Sequence, residues 1–455
     1  MSSDLDHTSE EGWSTTVAVV SGADGFAFRP GELVVVGESG RDAAERSLEG
    51  LVAAAAEPVF PEESFGPART NLFRLRGSFE VALAVDELRD SGFMAAPNHV
   101  VFAHGCGCPC GAHPADRWRG SVSGSPVYAS PVYASPVYAS PVYASPVYAS
   151  PVYASPVYAS PVYASPVYAS SGRRRSSARP ATPPALGPLS LQKGSIPRPA
   201  RVAVLDTGMA AEGVRPLALK PFAPARVHWE VPDLDNDRYL DPAAGHGTFV
   251  TGLIALLAPG TEIVVERVLS NLGDGDEVSI ARRVHELSGT VDIINLSFGG
   301  YSPQTMYALA AAVRTARAAG TVVVASAGND ATCRPTYPAA LPGVVGVGAL
   351  GPDGPAPFTN YGPWVRACAP GVDLVSWFFS EFDGPDRPNE AGANADLFQD
   401  WATWSGTSFA APVVVAALAR TMHACRVSAV EAVSRIVDAP GLFRLPDLGT
   451  VINLA

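Results

Sequence analysis

No uninterrupted run of eighteen apolar residues, the length a bilayer core demands, occurs in the 455-residue sequence. The run at 51–56 is too short, and Arg420 interrupts the one that begins at Val413, so no membrane span is expected. The opening Met1-Ser2-Ser3-Asp4-Leu5-Asp6-His7 lacks the basic start and apolar core of a secretory signal, and a cytoplasmic location is the expectation. Positive charge is scarce as well. Thirty-two Lys and Arg against 44 Asp and Glu leave a formal charge of −12, which argues against nucleic-acid or anionic-membrane partners because phosphates are repelled at long range. Arg173-Arg174-Arg175 is the main basic cluster. Cysteine is sparse: six residues, with Cys106, Cys108 and Cys110 close together and Cys333, Cys368 and Cys425 dispersed. Without a secretion signal these read as reduced thiols.

What is present divides into two folded units and a long connection. With 47% hydrophobic and 17% charged residues, the chain can bury one large core and a smaller one. After a tail at 1–30, residues 31–105 read as strand, helix, strand, helix, strand. Leu33-Val34-Val35-Val36 is a β-branched run; Ala44, Leu48, Leu51 and Val52 fall at helical spacing within 41–56; Asn71-Leu72-Phe73-Arg74-Leu75 is a second strand. A second helix at 81–88 ends near Gly92, and Ala95-Ala96-Pro97-Asn98-His99-Val100-Val101-Phe102 closes the unit. That order suits a two-layer α+β sandwich on an antiparallel sheet.

Residues 106–199 read as linker. Nine copies of Pro-Val-Tyr-Ala-Ser fill 126–170 and hold nine of the fourteen tyrosines. Proline at every fifth position removes a donor and blocks a helix, and period five fits neither helix nor strand. An extended tether of up to roughly 140 Å results, shortened by flexibility. It is either a solvated spacer, a set of equivalent tyrosines giving avidity for a partner, or a mimic of substrate for the chain's own cleft. In His104-Gly105-Cys106-Gly107-Cys108-Pro109-Cys110 the thiols are too crowded on one loop for a tetrahedral site, so no metal is predicted and the loop reads as flexible and redox-sensitive. Arg173-Arg174-Arg175 is a solvated linker or, alternatively, a place where the two units are cut apart.

From residue 200 the pattern changes. Arg201-Val202-Ala203-Val204-Leu205 is a buried-strand signature ending in Asp206-Thr207-Gly208, which puts a carboxylate at the C-terminal end of a parallel strand. Gly245-His246-Gly247-Thr248 opens an apolar helical stretch. Strands and helices then alternate, predicting a parallel sheet with helices on both faces. The strand at 322–325 runs into Ser326-Ala327-Gly328-Asn329, whose amide can aim a donor at a developing oxyanion. Gly406-Thr407-Ser408-Phe409-Ala410-Ala411-Pro412 precedes a helix-compatible run, so the Ser408 hydroxyl projects from a helix N-terminus, where negative charge is favoured. A serine needs a base to take its proton, and any one of these motifs alone is more often structural.

Together, in that order, they resemble the subtilisin-like serine proteases, the subtilases of peptidase family S8, and the resemblance spans residues 200–455. It includes Ile294-Asn295-Leu296-Ser297-Phe298-Gly299-Gly300, Ala369-Pro370-Gly371 and Gly449-Thr450-Val451-Ile452-Asn453. The resemblance implies a subtilisin-like α/β fold and a serine endopeptidase acting on protein or peptide. Ser408 is then the nucleophile, His246 the base, Asp206 its orienting acid and Asn329 the oxyanion donor. Ser297, Phe298 and Gly299 are the edge on which an extended substrate lies, with Ser326, Ala327 and Gly328 as a pocket wall. The segment around Pro97-Asn98 resembles the last strand of a subtilisin-type propeptide. It implies that the small, ferredoxin-like domain assists folding and inhibits from within, with processing somewhere between Phe102 and Pro199.

Two departures stand out. Phe249 occupies a place where relatives often carry a second histidine, and residues 380–400 look like an insertion, rich in Asp and Glu, that forms an acidic lid or a plain surface loop before Trp401 and Trp404. Asp233-Leu234-Asp235-Asn236-Asp237 starts like a calcium loop but lacks the later glycine and glutamate, so calcium is not predicted. The competing readings are a maturation protease dedicated to one partner peptide and a proteolytically silent scaffold; the latter has no need of all three catalytic groups and the amide.

Overall fold

A computed structural model describes residues 18–20, 26–37, 44, 46–48, 51–53, 56–60, 69–76, 81–103, 179–180, 199–210, 226–233, 240–303, 305–379, 382–383, 397–398 and 400–453. The Pro-Val-Tyr-Ala-Ser repeat, the Cys106 cluster, Arg173-Arg174-Arg175, Asp235 to Asp237, parts of the 41–56 stretch and most of the acidic insertion lie outside them.

The small unit contains antiparallel strands β1 (Phe26–Val36), β2 (Thr70–Arg74) and β3 (Met94–Ala103), with β1 in the middle, and helix α1 (Val81–Asp90) between β2 and β3. Gly92, at φ +87°, makes the turn out of the helix. Strand alternation sends successive side chains to opposite faces. Leu33, Val35 and Phe73 join Val81, Ala84, Val85 and Leu88 of α1 in the unit's own core. Val34, Leu72 and Val101 point the other way and belong to a core shared with the large unit.

The large unit is built on a parallel sheet. In spatial order its principal strands are Gly449–Val451, Val365–Pro370, Val345–Gly351, Val322–Ser326, Ile293–Leu296, β4 (Arg201–Asp206) and Glu262–Arg267. Residues 202–205 are fully buried, and alternation splits them: Val202 and Val204 face one core, Ala203 and Leu205 the other. A strand covered on both faces reads as a continuous apolar run, which is why this one was legible. From β4 the chain first adds a strand on one side, then crosses to the other. The C-terminal end of β4 therefore lies at the switch point where open α/β sheets form their sites.

Three helices matter for the site: α2 (His246–Leu257), α3 (Glu277–Leu287) and α4 (Thr407–Cys425). Among the described residues α4 is long and apolar enough to cross a membrane by length and composition alone, and 72% of its apolar window is buried inside the protein. Arg179–Pro180, which the sequence places in linker, pairs as a short strand with Ala402 and Thr403, whose backbone otherwise faces an open edge. Cys333 and Cys425 are exposed free thiols; Cys368 is buried, which pushes its thiol up to about 12.

Candidate active site

Asp206 ends β4 and His246 opens α2, and both are fully buried. His246 Nδ1 lies 2.7 Å from Asp206 Oδ1, which also accepts from the Thr207 amide at 2.8 Å. Glycine makes this approach feasible. Gly245 has φ +79°, and a Cβ there would meet the Phe378 ring at 2.2 Å. A Cβ on Gly247 would meet Gly208 O at 2.1 Å, so a side chain at 247 would push the His246 helix off the Asp206 turn.

Ser408 sits in the first turn of α4 and is fully buried. Four residues on, Pro412 has no N–H to give to the Ser408 carbonyl. Ser297 Oγ supplies the missing donor at 2.7 Å, and Ser408 Oγ donates in return to Ser297 O at 2.9 Å. Asn295 Nδ2 holds Ser297 Oγ at 2.9 Å. The proline thus ties the nucleophile candidate to the edge segment 297–299.

Asn329 is oriented by Thr407. Its Oδ1 accepts from Thr407 N and Thr407 Oγ1, both at 2.9 Å, so the amide NH2 must turn away, and Nδ2 is buried without a hydrogen-bond partner. His246 Nε2 is likewise buried without one. Two inward-facing polar atoms left unpaired in a buried site are costly unless a reacting group completes them. Ser326, Ala327 and Gly328 lead into Asn329: Ser326 and Ala327 are fully buried, and Gly328 N donates to Thr407 Oγ1 at 3.0 Å. Gly328 has φ +105°, and a Cβ there would strike Asn360 Nδ2 at 2.3 Å. Asn360 stitches this segment together: its Nδ2 lies within hydrogen-bond reach of Tyr301 Oη, Ala327 O and Thr336 Oγ1, which share its two N–H groups, and its Oδ1 accepts from Asp330 N and Thr332 N.

Sequence reasoning missed several neighbours. Trp404 is buried with its ring edge-on to His246 at 5.5 Å, and Phe409 lies 5.2 Å from the same ring. Phe249 packs on Phe409 at 4.6 Å and on Trp404 at 5.8 Å. It fills an aromatic box behind the imidazole, where a histidine would be an extra buried polar group. Thr207 and Thr248 stood inside the quoted motifs without a role of their own, and Glu230 and Asn360 were missed because a single polar residue carries no periodic signal. Among the described residues, no group of three or more His, Cys, Asp or Glu is arranged to hold a metal.

The groove in front of these residues is filled by the small unit. The last residues of β3 leave their own sheet and insert between two edges of the large unit. Phe102 and Ala103 pair antiparallel with Gly299 and Phe298; Val100, Val101 and Phe102 pair antiparallel with Asp276, Gly275 and Asp274. Ala103 N donates to Gly273 O at 2.8 Å. Polar contacts flank the strand: a buried Arg29–Asp274 ion pair at 2.9 Å, Asn98 Nδ2 to Asp276 at 3.1 Å, and His99 between Glu277 at 2.9 Å and Ser302 at 2.8 Å.

Comparison with known proteins points one way. A sequence model described as the subtilase family, peptidase S8, matches residues 198–437. The chain is 32% identical over 238 residues to the thermostable alkaline protease of Halalkalibacterium halodurans, an overlap of 49% of this chain and 57% of that protease. It is 31% identical over 228 residues to subtilisin DY of Bacillus licheniformis, an overlap of 46% of this chain and 79% of subtilisin DY. Proteases from Pseudoalteromonas arctica PAMC 21717 align structurally at 25% identity and a TM-score of 0.44, over 56% of this chain and 88% of theirs. The chain thus spans just over half the length of the alkaline protease.

Proposed function

This chain belongs to the subtilase family, and from that premise we propose that it is a serine endopeptidase held in check by its own N-terminal unit. Ser408 attacks the scissile carbonyl, His246 takes the proton and returns it to the leaving amine, and Asp206 holds the imidazole and offsets its charge. In the resting arrangement the Ser408 hydroxyl donates to Ser297 O, and this mechanism requires it to turn from there to His246 Nε2. Asn329 Nδ2 and the Ser408 amide at the start of α4 receive the oxyanion, and the helix dipole adds to their effect. The observation that carries this reading is the orientation of Asn329: Thr407 consumes its acceptor and leaves its donor buried and unpaired beside Ser408.

Substrate binds as an added strand along 297–299, with Ser326, Ala327 and Gly328 as wall. Inhibition follows from the same ladder. While Val100 to Ala103 hold these backbone groups, no substrate reaches them. In this reading residues 31–105 are the inhibitory domain, 106–199 the linker in which processing occurs, and 200–455 the catalytic domain. Mass spectrometry of the wild type beside Ser408→Ala tests it. Cleavage between Phe102 and Pro199 in the wild type, absent from the variant, is expected; a wild type that stays intact and turns over no casein, even after the N-terminal unit is removed, sinks it.

A further inference from the structure

One buried carboxylate is not used by that mechanism. Glu230 lies on a two-residue strand, Trp229–Glu230, beside Met209–Ala210, with Trp229 turned to solvent and Glu230 turned inward. Thr248 Oγ donates to Glu230 Oε1 at 2.9 Å and itself accepts from Ala210 N at 2.7 Å. The Thr207 hydroxyl accepts from Gly247 N at 3.0 Å, and Thr207 and the Gly245 backbone lie close enough to favour the charged form of Glu230, whose Oε2 is buried without a hydrogen-bond partner. With Ala210 N on its acceptor side, the Thr248 hydroxyl proton is directed at the carboxylate. Thr207 follows Asp206, while Gly245 and Thr248 flank His246. Glu230 thus anchors Thr248, which ties the base's helix to Ala210, while Gly247 N ties that helix to Thr207 in the acid's turn, at the N-terminus of a helix with no side-chain cap of its own.

On the serine-peptidase reading, we propose that Glu230 is a positioning residue for the Asp206–His246 pair: as a carboxylate it clamps the Asp206 turn to the first turn of α2 and adds negative charge that favours the imidazolium formed during acyl transfer. An ionised carboxylate can accept at both oxygens from the groups around it; the neutral acid turns one of those oxygens into a donor and gives up part of that acceptor capacity. Burial raises its affinity for a proton, and Asp206 adds to this, while Thr207, Thr248 and Gly245 oppose; together they set it at about 7. The switch between the clamped and relaxed forms therefore falls in the neutral range. The titratable groups of the elements around it are Asp206 on β4, His246 on α2, Asp241 ahead of α2 and held by Asn271, and His228 paired with Glu266. Met209 and Ala210 bring no charge.

The test uses the full chain with its N-terminal unit displaced by processing, a fluorogenic peptide, and pH 5–9. Wild type should show an acid limb of kcat/KM approaching two protons, one for the base and one for Glu230. Glu230→Gln should reduce it to one proton and lower kcat about tenfold at pH 8, a fraction of what the base contributes, with little change in KM. Thr248→Val removes a donor that stabilises the carboxylate, so its limb should move to higher pH. A second readout does not need turnover: in a Ser408→Ala background, the low-field Nδ1–H proton resonance of His246 should shift with pH near 7 and lose that shift in Glu230→Gln. Superimposable limbs in all three proteins, with an unchanged resonance, overturn the role of Glu230. A shifting resonance in a protein whose hydrolysis does not depend on Ser408 would instead reject the peptidase reading and leave the coupling intact.

Discussion

Asn329 and Gly328 are neighbours whose substitution should fail for different reasons. Asn329→Ala removes the unpaired donor and leaves Thr407 without its acceptor; kcat should fall roughly 10²–10³-fold with little change in KM, as steady-state kinetics will show. Gly328→Ala strains a backbone at φ +105° and drives a methyl into Asn360, so it should cost about 1–3 kcal/mol or more of stability, read as a lower Tm. Asp206, His246, Asn329 and Ser408 were legible as candidates because each adjoins a glycine or small residue where an apolar run ends, as at Asp206 and Asn329, or begins, as at His246 and Ser408. Glu230 was not. In Trp229-Glu230-Val231 it reads as ordinary strand alternation, and only the fold shows that the inward side faces Thr207 and Thr248.

At the scale of elements, the strands of both units were readable from β-branched runs and alternation. The insertion of β3 between 274–276 and 298–299 was not, because strand pairing across the chain has no local signature. The resemblance to a propeptide supplied the idea of inhibition but not the register. Arg29 now gains a role that no motif announced. Its ion pair with Asp274 is buried on both sides, so Arg29→Ala leaves a carboxylate without its partner cation at the interface. Breaking a buried pair from one side costs about 3–5 kcal/mol. In a Ser408→Ala background the variant's N-terminal unit should detach more readily, measured as faster trypsin cleavage of residues 81–103.

For the whole molecule, Glu230 links stability to pH. The folded protein holds this proton up to about 7, whereas an unfolded chain releases it near the ordinary glutamate value of 4.5. Between those values the folded state binds more protons, so this group's contribution to stability declines as pH rises through the window and is flat above it. Glu230→Gln removes that slope. The difference in Tm between wild type and variant should drift in the variant's favour from pH 5 to 7 and then level off.

Strand β3 belongs to two ladders at once, and hydrogen exchange can separate them. Amides in its first half, opposite Val34 to Val36, become accessible when the small unit unfolds, whereas the Ala103 amide, bonded to Gly273 O, becomes accessible when the groove empties. Ten residues therefore carry two clocks. If both run at the same rate, the N-terminal unit must unfold to leave; if Ala103 exchanges faster, the groove opens and closes around an intact domain, and the resting chain samples an empty groove without being cut.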